Sequence, residues 1–402
     1  MVELLQATER RIARESLFTD DGVRGIYLNE LSRPQVAEMS AAFASLLWEN
    51  TGWPASCAAS PQQTAATRRI GPTIVVGHDE RPASPDLVTG VAGALRRMGC
   101  YVIDVGLVTR PTMWFAVDHL RADGGIHVTG SGCDPAWTGL DFVGAAALPI
   151  SRANGLKQIE ERFRGGVSRW SRHPGSQRMF LANVPYVAGL WKHFHALRPL
   201  RISLGCPSLP LRKVLDRVFE KLACRRVAVE IPVRARDLSD VEDVDCRRIT
   251  ESVRQNASDL GMLIDDDGQR CAWFDERGNL IAAKHLAGLL AEREREQQVG
   301  QVVVAERSRH APRDEPNCDS TPIRSAAHHA ERDGYVTAEQ LGGISQAMRS
   351  HSAICGGGES GRVWFADAYP ICDAVLTLAK VLQALSRSDT PFSEVVAAVS
   401  RA

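Results

Sequence analysis

The chain has 402 residues, 44% of them hydrophobic and 24% charged, with Lys+Arg and Asp+Glu equal at 48 each. That length exceeds one ordinary hydrophobic core and predicts roughly two to four domains of a soluble globular protein. The balanced charge leaves no electrostatic footprint for nucleic acid or an anionic membrane surface, so neither is expected as a partner.

Residues 1–14 alternate acidic, basic and apolar side chains and lack the apolar centre of a signal peptide. No charge-free apolar run is long enough to span a bilayer. Ten cysteines, at 57, 100, 133, 206, 224, 246, 271, 318, 355 and 372, include no C-x-x-C pair. Zinc-ribbon and thioredoxin readings therefore lack support, and reduced thiols in a cytoplasmic protein are expected.

In residues 34–49, Val36, Met39, Phe43 and Leu46 fall on one helical face, with Ser32 upstream as a candidate cap. Residues 73–77 (TIVVG) read as a short buried strand. Ser84 and Pro85 then offer an N-cap and a first-turn proline for a helix bearing Leu87, Val91, Leu95 and Met98, stopped at Gly99. Residues 101–105 are the next strand, Met113, Val117 and Leu120 mark another helix, and residues 125–129 (GIHVT) are a third strand entering a Gly-containing loop. This alternation implies a mainly parallel sheet covered on both faces.

The pattern recurs without visible sequence repetition. Candidate strands lie at 201–205, 226–230, 260–264, 302–305 and 363–366, and a closing helix carries Val375, Leu378, Leu382 and Leu385. Residues 152–177 and 306–324 are polar connections; the basic excess at 162–178 reads as a solvated face. Three α/β units that each end a strand in a polar loop point to one shared site, because ligands of open parallel sheets bind beyond the carboxyl ends of strands.

Three loops carry candidate chemistry. In residues 128–142 (VTGSGCDPAWTGLDF), Ser131 among glycines offers a hydroxyl and backbone N–H groups suited to phosphate oxygens; on spacing alone an ordinary Ser/Gly turn is the plainer reading. Residues 265–270 (DDDGQR) place carboxylates at alternate turn positions, suited to a hard cation, or to an acidic surface turn. Residues 356–362 (GGGESGR) offer Glu359 and Ser360 to sugar hydroxyls, or form a plain hairpin. Nearer the N-terminus, Arg24 lies between glycines in residues 21–25 (DGVRG), and residues 77–82 (GHDERP) form a second charged strand end. His78 and His127 have no partners at metal-ligand spacing and read as structural.

Taken in order, these segments resemble the α-D-phosphohexomutase superfamily, in particular the bacterial phosphomannomutase/phosphoglucomutase type. Residues 18–25 (FTDDGVRG) are similar to its opening F-G-T-D-G-I-R-G, and residues 75–84 (VVGHDERPAS) to V-V-G-x-D-x-R-x-S-S. Residues 122–126, 129–131 and 138–141 resemble A-x-x-G-I-x-I-T-A-S-H-N-P-x-x-Y-N-G-x-K. Residues 265–270 with 275–278 (DERG) resemble D-G-D-G-D-R and its downstream D-x-x-G, and residues 357–362 resemble G-E-x-S-G-H.

The resemblance implies an isomerase of the phosphotransferase kind that interconverts hexose 1-phosphate and hexose 6-phosphate. Ser131 would carry the phosphoryl group and Arg24 would contact it; Asp265 and Asp267, with Gln269 in the third metal position, would hold Mg²⁺. Arg270 would sit beside the metal loop, and Glu359 and Ser360 would meet the sugar, with a hexose 1,6-bisphosphate as intermediate and activator. The expected fold is three consecutive α/β/α domains with mixed, mainly parallel sheets around a shared cleft: 1–150 with the phosphoserine loop, 151–275 with the metal loop, 276–402 with the sugar loop.

There are also departures. Residues 132–135 (GCDP) replace His-Asn-Pro with one residue more, so counting back from Pro135 puts Gly132 at the nucleophile position. Gln269 removes a metal carboxylate, Gly358 replaces the sugar-binding glutamate in an ungapped match, and Arg362 replaces the histidine. The family's fourth, phosphate-gripping domain is expected to be absent, with a separate subunit as one way to complete the site. Two functions are therefore entertained: a working mutase, and a non-catalytic sugar-phosphate-binding or regulatory homologue.

Overall fold

The computed structural model describes residues 17–50, 71–167, 170–297, 300–305, 335–338, 341–368 and 371–399. The N-terminal stretch 1–14, Cys57, Cys318 and the polar connection 306–324 lie outside the described residues. The chain divides into two units, Met1–Val108 with Thr112–Ala182, and Thr109–Pro111 with Asn183–Ala402.

The first unit runs β1 (Val23–Ile26), helix Arg33–Asn50, β2 (Thr73–His78), helix Ser84–Arg97, β3 (Tyr101–Leu107), helix Arg110–His119 from Thr112 onward, β4 (Gly124–Val128), β5 (Trp137–Gly144), helix Leu156–Gly165 and β6 (Gln177–Met179). Its sheet has the order β1-β5-β4-β2-β3-β6. Strand β2 pairs in parallel with β3 and β4, whereas β5 returns antiparallel beside β4 and pairs antiparallel with β1. The apolar helical faces read from the sequence are buried: Val36, Met39, Phe43 and Leu46 join Leu87, Val91 and Leu95 against Ile74, Val76, Ile126 and Val128.

Ser32 immediately precedes the helix Arg33–Asn50, and its backbone N–H and hydroxyl both donate to Gln35 Oε1, at 2.9 and 2.7 Å, so Gln35 supplies the return bond of a capping box. Ser84 is a correction. The helix starts at Ser84 with Ala83 as N-cap and no side-chain cap, because the Ser84 hydroxyl donates to Asp79 Oδ1 at 2.5 Å instead.

The second unit holds two sheets. Strands β7 (Arg201–Gly205), β8 (Arg225–Val229), β9 (Leu260–Ile264), β10 (Cys271–Phe274) and β11 (Leu280–Ile281) form one, in the order β11-β10-β9-β7-β8. Strands β12 (Val302–Ala305), β13 (Tyr335–Ala338), β14 (Cys355–Gly358) and β15 (Val363–Phe365) form the other, in the order β13-β12-β14-β15. Again parallel strands lie inside, and β10 and β15 return antiparallel beside β9 and β14.

All three sheets therefore share one device. A parallel strand leaves its carboxyl end through a polar loop and folds back as an antiparallel neighbour. The loops are 129–136 between β4 and β5, 265–270 between β9 and β10, and 359–362 between β14 and β15. They are the three loops singled out by sequence, but Gly356, Gly357 and Gly358 belong to β14 rather than to a loop. A Cβ on Gly356 would lie 3.0 Å from Met348 Sδ, and one on Gly357 would lie 2.9 Å from the Ala287 Cβ. The glycines let helices from both faces pack against the strand backbone.

Among the described residues, no helix is long and apolar enough to cross a membrane, and the cysteines are free.

Candidate active site

In the first unit the 129–136 loop is braced by charge. Arg81 is 4% exposed and donates Nη1 to the carbonyls of Asp134 (2.6 Å) and Trp137 (3.2 Å) and Nη2 to that of Cys133 (2.9 Å). Its Nε lies 3.3 Å from Asp79 Oδ2, which also accepts from the Gly130 N–H at 3.0 Å. A Cβ on Gly130 would sit 2.2 Å from the Trp137 carbonyl oxygen, so this position has no room for a side chain. Ser131 follows, half-buried, with its N–H donating to Thr129 Oγ1 at 3.0 Å. Gly132 takes a φ of +80°, which lets the chain reverse beside the serine.

Arg24 sits on β1 opposite Gly139 of β5, and the Gly139 carbonyl accepts from the Thr129 N–H at 3.0 Å. The structure thus brings Arg24 to the sheet row from which the serine loop departs. Its guanidinium is engaged: Nη1 donates to the Val23 carbonyl, and Nη2 lies 2.8 Å from Asp141 Oδ1. Asp141 occupies the place where the resembling motif has lysine, and its side chain is 3% exposed.

In the second unit the 265–270 loop is a tight turn, with Gly268 at φ +70°. Asp265 Oδ1 accepts from Arg236 Nη1 and from the Asp266 N–H, both at 3.0 Å, and Oδ2 pairs with Arg270. Asp267 Oδ1 accepts the N–H groups of Gln269 (2.8 Å) and Arg270 (2.9 Å), and Oδ2 accepts from Arg362 Nη2 at 2.5 Å. Gln269 Oε1 lies 3.3 Å from Nη1 of Arg110, within the Thr109–Pro111 segment of this unit.

The 359–362 loop meets this turn. The Gly361 carbonyl accepts from the Cys271 N–H at 3.1 Å, and a Cβ on Gly361 would come within 2.6 Å of the Cys271 oxygen. Ser360 Oγ accepts from the Arg362 N–H at 3.3 Å, and Glu359 is exposed. Two of the three expected loops are thus joined, through Arg362 and Asp267. The 275–278 segment is the β10–β11 turn, where Asp275 accepts the N–H groups of Arg277 and Asn279.

The electrostatics follow from this packing. Burial pushes the Asp267 carboxyl up, but Arg362, Arg270 and Arg110 outweigh it and hold the group well below the usual carboxylate range. Burial pushes the neighbouring Cys271 thiol up to about 12, so it stays protonated. A magnesium ion needs carboxylate oxygens turned toward one point at about 2.0–2.1 Å. Here all four oxygens of Asp265 and Asp267 already accept from guanidinium or backbone N–H groups. As folded, this donor set does not fit the ion.

Sequence reasoning took Asp79 and Arg81 only as part of a charged strand end, with no bracing role, and passed over Arg236. The Arg236 side chain is fully buried between Asp245 and Asp265. Only the D-x-R spacing at 79–81 hinted that a charge turns inward there.

The chain matches the family described as phosphoglucomutase/phosphomannomutase, alpha/beta/alpha domain I, over residues 15–169, and the corresponding domain III over residues 343–402. It is 28% identical over 325 residues to a phosphomannomutase of Salmonella typhimurium, spanning 75% of this chain and 67% of that relative. To the phosphohexose mutases of Xanthomonas campestris it is 26% identical over 349 residues, spanning 83% and 73%. Among solved structures, a phosphoglucomutase/phosphomannomutase family protein from Burkholderia thailandensis shares the fold with a TM-score of 0.75 at 20% identity, over 94% of this chain and 78% of that one. A putative phosphomannomutase from Thermus thermophilus does so with a TM-score of 0.70 at 19% identity, over 96% and 83%.

Proposed function

Because this chain belongs to the α-D-phosphohexomutase superfamily of isomerases, we propose that it moves a phosphoryl group between positions of a hexose phosphate with Ser131 as the carrier. The observation that carries this reading is the braced serine loop. Arg81 and Asp79 spend a buried ion pair and four further hydrogen bonds on holding Gly130 and residues 133–137 around Ser131. Such an outlay suits a hydroxyl that must be presented to a ligand in one geometry.

The reaction has two transfers. In the first, a sugar hydroxyl attacks the phosphorus of phosphorylated Ser131. The P–Oγ bond breaks, and the serine oxygen takes up the proton that the sugar hydroxyl gives. The product is a hexose bisphosphate. In the second, Ser131 Oγ attacks the other phosphate, and the released sugar oxygen takes the proton from the serine. The chain's own part is orientation and charge neutralisation, as phosphoryl transfer generally requires. Arg24, at the row where the loop departs, would contact the transferring group, and Glu359 and Ser360 would meet the sugar hydroxyls.

The test is ³¹P nuclear magnetic resonance of mannose 1-phosphate or glucose 1-phosphate incubated with the protein and a trace of the matching 1,6-bisphosphate. Conversion to the 6-phosphate, lost in Ser131→Ala, is expected. Conversion that persists in Ser131→Ala overturns the assignment of the carrier, and no conversion of either sugar overturns the activity.

A further inference from the structure

We infer that the 265–270 loop is closed to divalent cations, and that Arg362 and Arg270 present to a ligand phosphate the positive charge that the resembling family takes from Mg²⁺. The inference rests on the hexose-phosphate reading above for its ligand, and on the loop's own geometry for its charge.

Two carboxylates, Asp265 and Asp267, face three guanidiniums. Arg236 and Arg270 hold the two oxygens of Asp265, and Arg362 holds Oδ2 of Asp267. Charge-assisted hydrogen bonds of this kind are roughly twice as strong as neutral ones. A cation entering the turn would have to break several of them and then lie beside guanidiniums of its own sign. Arg236 has little room to withdraw, because its side chain is fully buried and its Nε lies 3.3 Å from Asp245 Oδ2. Nor can the turn rotate Asp267 freely, because two backbone N–H groups, from Gln269 and Arg270, fix Oδ1.

Two sequence changes point the same way. Gln269 removes a carboxylate from the turn, and its amide oxygen faces Arg110. Arg362 stands where the resembling motif has histidine, and it supplies the guanidinium that reaches Asp267. Loss of one negative charge and gain of one positive charge are a matched pair of changes around a single carboxylate. Arg362 and Arg270 keep 15% and 26% of their side-chain surface open to solvent, so their outer N–H groups can be reached by a phosphate. A guanidinium suits that role, since its planar fork matches two phosphate oxygens.

The experiment uses the full chain in two arms. In the first, Mn²⁺ replaces Mg²⁺ and its bound fraction is read by electron paramagnetic resonance. Wild type is expected to bind none at millimolar Mn²⁺, whereas Arg362→His with Gln269→Asp gains one bound ion. One Mn²⁺ bound to wild type and lost in Asp267→Asn overturns the inference, as does a folded double variant that gains no ion. In the second arm, glucose 1-phosphate is titrated calorimetrically with EDTA and with MgCl₂. Equal affinity is expected, falling at least about tenfold in Arg362→Gln. Affinity that needs MgCl₂, or that is unchanged in Arg362→Gln, overturns the phosphate role. If glucose 1-phosphate binds under neither condition, the hexose-phosphate reading and the phosphate role fall together, while the Mn²⁺ arm still decides whether the loop is closed.

Discussion

Replacing Arg81 by alanine is the sharpest test of how the serine loop is held. The side chain is 4% exposed and its loss removes three hydrogen bonds to carbonyls, of Cys133, Asp134 and Trp137, and one ion pair to Asp79. The Asp79 carboxylate would keep three donors: the N–H of Gly130, the hydroxyl of Ser84 and the N–H of residue 81. Asp134 is exposed and Cys133 and Trp137 are half-buried, so their carbonyls regain water in part. Breaking a fully buried pair costs about 3–5 kcal/mol, and partial rehydration places this case near the lower bound, at about 3 kcal/mol. In urea unfolding followed by tryptophan fluorescence, that corresponds to a midpoint lowered by about 1 M for the first unit. Arg81→Lys keeps the charge beside Asp79 but cannot reach three carbonyls with one ammonium, so about half the loss is expected. The loop's looseness should also appear as slower phosphorylation of Ser131 in Arg81→Lys, at protein concentrations where it remains folded. An Arg81→Ala protein within about 0.5 kcal/mol of wild type would refute the bracing argument.

Other expectations follow from local geometry. Gly139→Ala would put a Cβ 1.7 Å from the Val23 carbonyl oxygen and push β1 from β5, costing about 3 kcal/mol or more by urea titration; a Cβ at Gly356 comes nearest to side-chain rather than backbone atoms, Met348 Sδ at 3.0 Å and Ile344 Cγ2 at 3.1 Å, so Gly356→Ala should cost less, under about 1.5 kcal/mol. Glu276 accepts the N–H and hydroxyl of Ser393 at 3.0 and 2.6 Å; burial pushes its carboxyl up, and these two donors more than offset that, so the group titrates below its ordinary 4.5. A lowered carboxyl contributes stability that is present above its unfolded value and lost as pH falls through its folded value, so wild type and Glu276→Gln should differ by a cap-sized 0.5–1 kcal/mol, roughly, near neutrality and converge below about pH 4.5 in thermal melts.

Much of the fold was readable because its signals are local. The strands at 201–205, 260–264 and 302–305 fall where the sequence put them, since each is a short apolar run bounded by polar turns. The first-unit helices were readable from the 3.6-residue spacing of residues such as Leu87, Val91 and Leu95. The antiparallel return strands were harder. Strand β5 (Trp137–Gly144) mixes Thr138, Gly139 and Asp141 with apolar residues, so composition alone gives it no strand signature. Three glycines in a row make β14 look like part of a loop in the sequence, whereas in the fold they admit Met348 and Ala287 to the strand backbone.

The candidate site divides in the same way. The loops that carry Ser131, Asp265, Asp267 and Ser360 were legible because their composition sets them apart. Their partners were not, because ion pairs reach across the chain: Arg81 bonds a carbonyl 56 residues away, and Arg362 reaches a carboxylate 95 residues away. Sequence showed Arg362 and Gln269 only as two unrelated departures. Their common centre, Asp267, is a property of the packed hairpin.

The measurement closest to the central claim is the mass of the Ser131 peptide before and after incubation with a hexose 1,6-bisphosphate. One phosphate on Ser131 is expected, leaving when a hexose monophosphate is added, with or without EDTA. A peptide that stays unmodified in folded protein, under every combination of sugar and metal, would contradict it.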